Sequence, residues 1–210
     1  MELLDGIKWL GHASFAIKDV KTIVIDPYEL KEAPKADIVL ITHDHFDHCS
    51  PKDLKEVLKD DTIVVSIPGC AEKLVDKSRL RTVKPGQEIK VEGIRIRTIP
   101  AYNVRPERLS YHPRGNEGVG YIIDLPGRRI YHAGDTDFIE EMKQLKDIDV
   151  AMLPIGGTYT MDVNEAAEAA NAIKAKVTVP MHYRKWLKDK SKDAEELFRS
   201  KVRGEVAVID

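Results

Sequence analysis

Apolar and polar positions change places in short runs at the start of the chain. Ile7-Lys-Trp-Leu10, Ser14-Phe-Ala-Ile17 and Thr22-Ile-Val-Ile25, set apart by glycine or charged turns, predict a β-meander that ends on Asp26-Pro27. The segment 36–42 is a nearly continuous apolar run, as expected of a buried strand. Ser50 then offers an N-cap to a helix over 51–58, with Pro51 at its first position and Leu54, Val57 and Leu58 on one face. A strand over 62–66 and a short helix around 71–75 follow. The segment 88–99 alternates as two strands turned at Glu92-Gly93. From 102 to 118 no period is sustained, which predicts a long loop, and loops of that length are often functional. Strands return at 119–125, 129–132, 149–155 and 176–180. A helix over 163–175 is capped by Asp162 with Glu165 three residues on, and a charged helix over 193–202 and a short strand close the chain.

Each half therefore reads as a meander followed by strand, polar loop and helix. This predicts an α/β protein, a four-layer αβ/βα sandwich of two mixed β-sheets with helices outside, formed by one domain spanning 1–210. The 210 residues are enough for a real core, and 42% hydrophobic with 32% charged residues is the balance of a water-soluble globular chain. The apolar runs fall far short of the ~20 residues a membrane helix needs, and the amino terminus has no basic stretch leading into an apolar one. The expectation is a cytoplasmic protein with no membrane span. Lys and Arg total 33 against 35 Asp and Glu, a net charge of −2, so no global field attracts nucleic acid. Cys49 and Cys70 are too few for a disulfide framework and are expected as thiols. Homo-oligomer formation is left open.

The chemistry is concentrated at the end of the buried strand. His43-Asp-His-Phe-Asp-His48 sets three imidazoles and the Asp47 carboxylate within six residues, all good ligands for a borderline-soft divalent ion. Residues two apart on an extended turn project to one side, so His43 and His45 can grip one ion while Asp47 and His48 grip a neighbour. The alternative, a solvated His-rich turn, would leave a costly polar cluster at the end of an apolar strand.

Thr42-His-Asp-His-Phe-Asp-His48 resembles the HxHxDH signature of the metallo-β-lactamase superfamily. The resemblance runs in order from about residue 8 to 183. It implies that Asp26 supports the metal loop from behind, that Asp135 in Ala133-Gly-Asp135 bridges two metals, and that His182 completes the second one. Gly11-His12-Ala-Ser-Phe15 and Gly156-Gly-Thr-Tyr-Thr160 resemble the branch containing an ascorbate-phosphate lactonase and phospholipase-D-like enzymes acting on acyl-ethanolamine phospholipids. The family usually takes a third ligand for the first metal from a histidine near the middle of the chain, and this branch often places it shortly after a Pro-Ala. Here Pro100-Ala-Tyr-Asn103 carries asparagine, a poor zinc ligand. Either two histidines and the bridging groups suffice, or His112 swings in from the long loop; His112 is preferred. His12 is expected near the metals but outside the ligand set, His132 as structural, and Cys49 as a packed thiol. Arg105, Arg108 and Arg114, with Tyr102 and Tyr111, offer either a grip on an anionic substrate or solvated loop charges.

The expected function is that of a dinuclear metal-dependent hydrolase holding two divalent transition-metal ions, zinc foremost, with Mn2+, Fe2+ or Ni2+ as alternatives. A metal-activated bridging hydroxide attacks a small ester, lactone or phosphodiester. Asp47 and Asp135 are the catalytic carboxylates, and His12 or a loop tyrosine aids the developing oxyanion. Three alternatives stand beside it: a metal-dependent nuclease, an iron-dependent redox enzyme, and a non-catalytic metal-binding protein.

Overall fold

The computed structural model describes residues 2–71 and 77–209. The first sheet holds β1 (Ile7–Gly11), β2 (Ser14–Lys18), β3 (Thr22–Ile25), β4 (Ile38–Leu40), β5 (Ile63–Ser66) and β6 (Leu80–Thr82), side by side in chain order. The second holds β7 (Glu88–Val91), β8 (Ile94–Pro100), β9 (Val119–Leu125), β10 (Arg128–His132), β11 (Val150–Pro154), β12 (Val177–Met181) and β13 (Glu205–Val206), again in chain order. In both, an antiparallel meander gives way to parallel strands: after β3 in the first sheet, after β10 in the second. Among the described residues there are five α-helices: α1 (Pro51–Val57), α2 (Pro68–Ala71), α3 (Val163–Ile173), α4 (Arg184–Leu187) and α5 (Ser191–Lys201). The architecture is the expected sandwich of two mixed sheets flanked by helices. The short helix expected around 71–75 lies almost wholly outside the described residues.

The elements form where local chemistry favours them and stop where it changes. Ser50 accepts from the amide of Asp53 at the start of α1, and Asp162 accepts from the amides of Asn164 and Glu165 at the start of α3. Helix α3 ends two residues earlier than its pattern suggests, because Lys174 turns left-handed (φ 57°) and returns its N–H to Ala170. The strand expected over 36–42 is reduced to β4 because the Thr42 amide leaves the ladder for the Asp26 carboxylate, 2.8 Å away.

β3, β4 and β5 and, opposite them, β10, β11 and β12 are buried almost throughout, as parallel strands covered on both faces must be. The sheets are joined at one end by polar bonds across the core. The Tyr121 hydroxyl donates to Ile41 O at 2.7 Å, Val119 N to Thr42 O at 3.0 Å, and the His132 ring to Ala13 O at 2.8 Å. At that same end β3, β4, β10, β11 and β12 release their carboxyl-terminal loops, the place where ligands collect on α/β sheets.

Candidate metal centre

Asp26 follows β3 and the 43–48 loop follows β4; Asp135 lies just beyond β10 and His182 just beyond β12. His12 sits in the turn between β1 and β2, and His112 arrives on the long connection between β8 and β9. His12, Asp26 and His182 all have left-handed backbones (φ 51°, 44° and 56°). Such conformations cost on the order of 1–3 kcal/mol each and gather at functional sites. The His12 carbonyl binds the first and last loops together, accepting from the indole of Trp9 at 2.9 Å and from the amide of His182 at 3.0 Å.

Donor atoms fall into two clusters, each within a 4.8 Å span. One is His43, His45 and His112; the other is Asp47, His48 and His182 with His12; His43, His48 and Asp135 form a third grouping that links them. Three of the imidazoles are anchored alike through Nδ1. His48 Nδ1 lies 2.8 Å from Asp26 Oδ2, and an ionised carboxylate only accepts, so the proton is on Nδ1. Thr42 gives its hydroxyl proton to the same Asp26 oxygen at 2.6 Å, which leaves its lone pair to accept from His43 Nδ1 at 2.9 Å. His112 Nδ1 and its own amide both meet Asn103 Oδ1, at 2.9 and 3.0 Å. In the neutral form of each ring Nε2 then carries the lone pair, and it is directed inward. Buried Nε2 atoms of His43, His48, His112 and His182 make no hydrogen bond among the described residues, nor does Asp135 Oδ1.

His48, His112 and His182 nevertheless converge on Asp135 Oδ2, at 3.4, 3.4 and 3.0 Å. Buried polar atoms without partners are expensive. Imidazole and carboxylate donors converging on shared points, with three of the rings tethered from behind, fit divalent transition-metal ions. The electrostatics agree. Burial pushes His43 well below the ordinary histidine range and His112 down to about 4. Burial also opposes charge on His48, but Asp135 and Asp26 outweigh it and hold that ring well above its usual value. Burial opposes ionisation of Asp135, but His182 and His48 keep its pKa well below the ordinary range. Burial likewise opposes ionisation of Asp47, yet the His12 hydrogen bond at 3.1 Å and the charge on His48 bring it to about 2. Ionised carboxylates buried among imidazoles favour bound positive charge.

The structure brings His112 beside His43 and His45, with Asn103 hydrogen-bonded behind the His112 ring. The Asn103 amide also donates to Asp137 Oδ1 at 3.0 Å and to Tyr159 O at 3.1 Å. Asp137 in turn receives the amides of Val104 and Arg105 at 2.8 and 2.9 Å and lies 3.0 Å from Arg108 Nε. Arg108 continues to the Thr160 carbonyl and to Glu165 on α3. This buried strut was not foreseen, since its members are scattered from 103 to 165 and no local pattern marks them. It also changes the reading of the loop arginines. Arg108 is locked in the strut, Arg114 pairs with Glu141 at 3.1 Å and covers the Tyr102 ring, and Arg105 lies 3.8 Å from Glu165. Arg108 is thus buried in the strut, whereas Arg105 and Arg114 are exposed beside acidic partners. His132 is bonded to Ala13 O and to the Gly134 amide, away from both donor clusters. Cys49 and Cys70 are buried and not joined in a disulfide, and Cys70 donates to the carbonyl of His43 at 3.3 Å.

Over the clusters opens a cavity of about 290 Å³. Its floor is His45, Asp47, His112, Asp135 and His182, and its walls are Phe46, Tyr111, Tyr159 and Trp186. A larger groove of about 1030 Å³, bordered by Lys84, Arg97 and Arg129, contains none of these donors. No helix among the described residues is long and apolar enough to cross a membrane.

The chain matches the family model described as beta-lactamase superfamily domain over residues 6–182. A UPF0173 metal-dependent hydrolase of Thermoplasma acidophilum is 37% identical over 193 residues, covering 84% of this chain and 82% of its relative. Its counterpart in Nanoarchaeum equitans is 35% identical over 212 residues, covering 97% and 95%. The crystal structure of a metal-dependent hydrolase from Parabacteroides distasonis superposes with a TM-score of 0.83 at 38% identity, covering 97% of this chain and 91% of that one.

Proposed function

The chain belongs to the metallo-β-lactamase superfamily and is a metal-dependent hydrolase, and on that premise we propose a dinuclear zinc hydrolase of a small ester, lactone or phosphodiester. His43, His45 and His112 would hold one ion, Asp47, His48 and His182 the other, with Asp135 between them. The observation that carries this reading is the pair of donor clusters meeting at Asp135, with the Nε2 atoms of His43, His48 and His112 bare and their Nδ1 atoms tethered. Zinc suits a set rich in imidazole with a minority of carboxylate, although manganese, iron and nickel accept similar donors.

When bound, the ions lower the pKa of water toward about 7 and polarise the group under attack. The chain's own residues do the rest. Asp26 and Asn103 fix the tautomers of His48 and His112, and Thr42 that of His43, so that Nε2 is the atom presented. His12 holds the outer oxygen of Asp47 at 3.1 Å. The aromatic walls of the cavity shield one side of the reacting centre. The nuclease alternative is disfavoured, because among the described residues no lysine or arginine lines the cavity to meet a phosphate backbone.

Elemental analysis of the purified protein, paired with hydrolysis of a chromogenic ester and a chromogenic phosphodiester, tests the reading. The expected result is two ions per chain and turnover that Asp135→Ala abolishes. Full metal content with undiminished turnover in Asp135→Ala would remove that residue from the mechanism.

A further inference from the structure

The wall of the cavity is built from four aromatic side chains that come from four separate parts of the chain. Phe46 lies between the ligands of the metal loop, Tyr111 on the long connection, Tyr159 after β11 and Trp186 on α4. Tyr159 ties three of them into one surface: its ring meets Tyr111 edge to face at 4.7 Å and Trp186 at 4.9 Å. Phe46 is 71% exposed and Tyr111 38%, so the aromatic surface extends to the mouth. The polar atoms on this wall are phenol hydroxyls and an indole N–H, all uncharged.

The nearby cations are already matched. Arg105, Arg108 and Arg114 face Glu165, Asp137 and Glu141, and Lys185 lies over Tyr28 at 4.7 Å and pairs with Glu29 at 3.0 Å. Aromatic faces carry negative electrostatic potential, so they welcome apolar groups and ring edges and repel anions. A volume of about 290 Å³ is at the bottom of the range of roughly 300–1,000 Å³ typical of drug-sized ligands. It suits a single ring or a short chain.

We propose that the substrate is a small ester or lactone whose non-reacting part is an uncharged ring or short apolar chain seated against Tyr111, Tyr159 and Trp186, and that compounds with a second, anionic group are excluded. This rests on the hydrolase reading above and narrows it. Hydrolysis adds the oxygen of water to the acyl carbon, breaks the acyl carbon–oxygen bond and passes a proton to the departing oxygen.

The test uses zinc-reconstituted protein of measured metal content and two esters that differ by one distal charge, phenyl acetate and para-acetoxybenzoate. Each rate is referred to its uncatalysed rate. The expected kcat/KM is at least about tenfold lower for the carboxylate-bearing ester. Trp186→Ala and Tyr159→Ala are expected to raise KM for phenyl acetate about tenfold, with two ions retained. Phe46→Lys, at the exposed rim, is expected to improve the carboxylate ester selectively. Equal or better use of para-acetoxybenzoate by the native protein overturns the proposal, as does an unchanged KM in both aromatic variants.

If metal-loaded protein hydrolyses neither ester, the ester part of the proposed function fails by itself. Calorimetric titration with acetanilide and with para-acetamidobenzoate then decides the cavity's preference. Tighter acetanilide binding upholds the uncharged class, and tighter binding of the anion overturns it.

Discussion

Asn103 occupies the place where the family pattern leads one to expect a histidine, and it serves from behind. Its carbonyl fixes the His112 ring, and its amide passes the load to Asp137. Groups that orient a metal-ligating histidine in this way typically govern metal affinity by about 10–100-fold. Asn103→Ala is therefore expected to weaken one of two ions by that factor, and His112→Ala to lose it, while the other ion stays. Competition with a chromogenic chelator measures both. Loss of both ions together would mean that the clusters do not act separately. His43, His45, Asp47 and His48 were legible in the sequence because the chain itself sets them side by side. His112 was legible only as a candidate, since its approach depends on where the loop runs. Tyr159 and Trp186 were invisible as a wall: aromatic residues at 159 and 186 share no period, and only the fold stacks their rings.

At the scale of elements, the 101–118 connection is held by backbone bonds across its base, such as Ala101 N to Gly118 O and Asn103 N to His112 O, and by the buried ionic bonds of Arg108 to Asp137 and to Glu165 on α3. Arg108 is 4% exposed and its partners Asp137 and Glu165 are 0% and 4%. Removing one member of a buried pair strands the other, at about 3–5 kcal/mol. Arg108→Met is expected to lower unfolding free energy by that amount in a denaturant titration and to reduce metal content toward one ion per chain. Arg108→Lys, which keeps the charge, should recover part of both. Gly156 governs another connection. A Cβ there would overlap the carbonyl oxygen of His182, whose left-handed turn presents its ring to the second cluster. Gly156→Ala is expected to cost about 1–3 kcal/mol and to loosen the second ion preferentially. Strands and helices were legible because their periods and caps are local. The strut was not, because Arg108 and Glu165 are 57 positions apart and each alone reads as a surface charge.

Across the whole molecule, the first sheet's loops supply His43, His45, Asp47 and His48, and the second sheet's loops supply Asp135, His182 and His112. Bound ions would tie the two sheets together, and a ligand that binds only the folded chain stabilises it by about 4 kcal/mol at a thousandfold excess over its Kd. Chelation is expected to lower the melting temperature by roughly 8–16 °C for a protein of this size, and by much less in Asp135→Ala; calorimetric scans with and without chelator check this. The repeat of meander and parallel strands could be read from the sequence, whereas the closure of the two sheets around one centre needed the crossing bonds of Tyr121 and Val119. One adjacency has a consequence for how such an enzyme can change. Tyr111 belongs to the cavity wall and His112 to the first cluster, so neighbouring residues on one strut-held loop set both the shape of the cavity and the grip on an ion. Selection for bulkier substrates at position 111 should therefore be paid in metal retention, and lineages that widen the cavity are expected to acquire compensating changes along Asn103, Asp137 and Arg108.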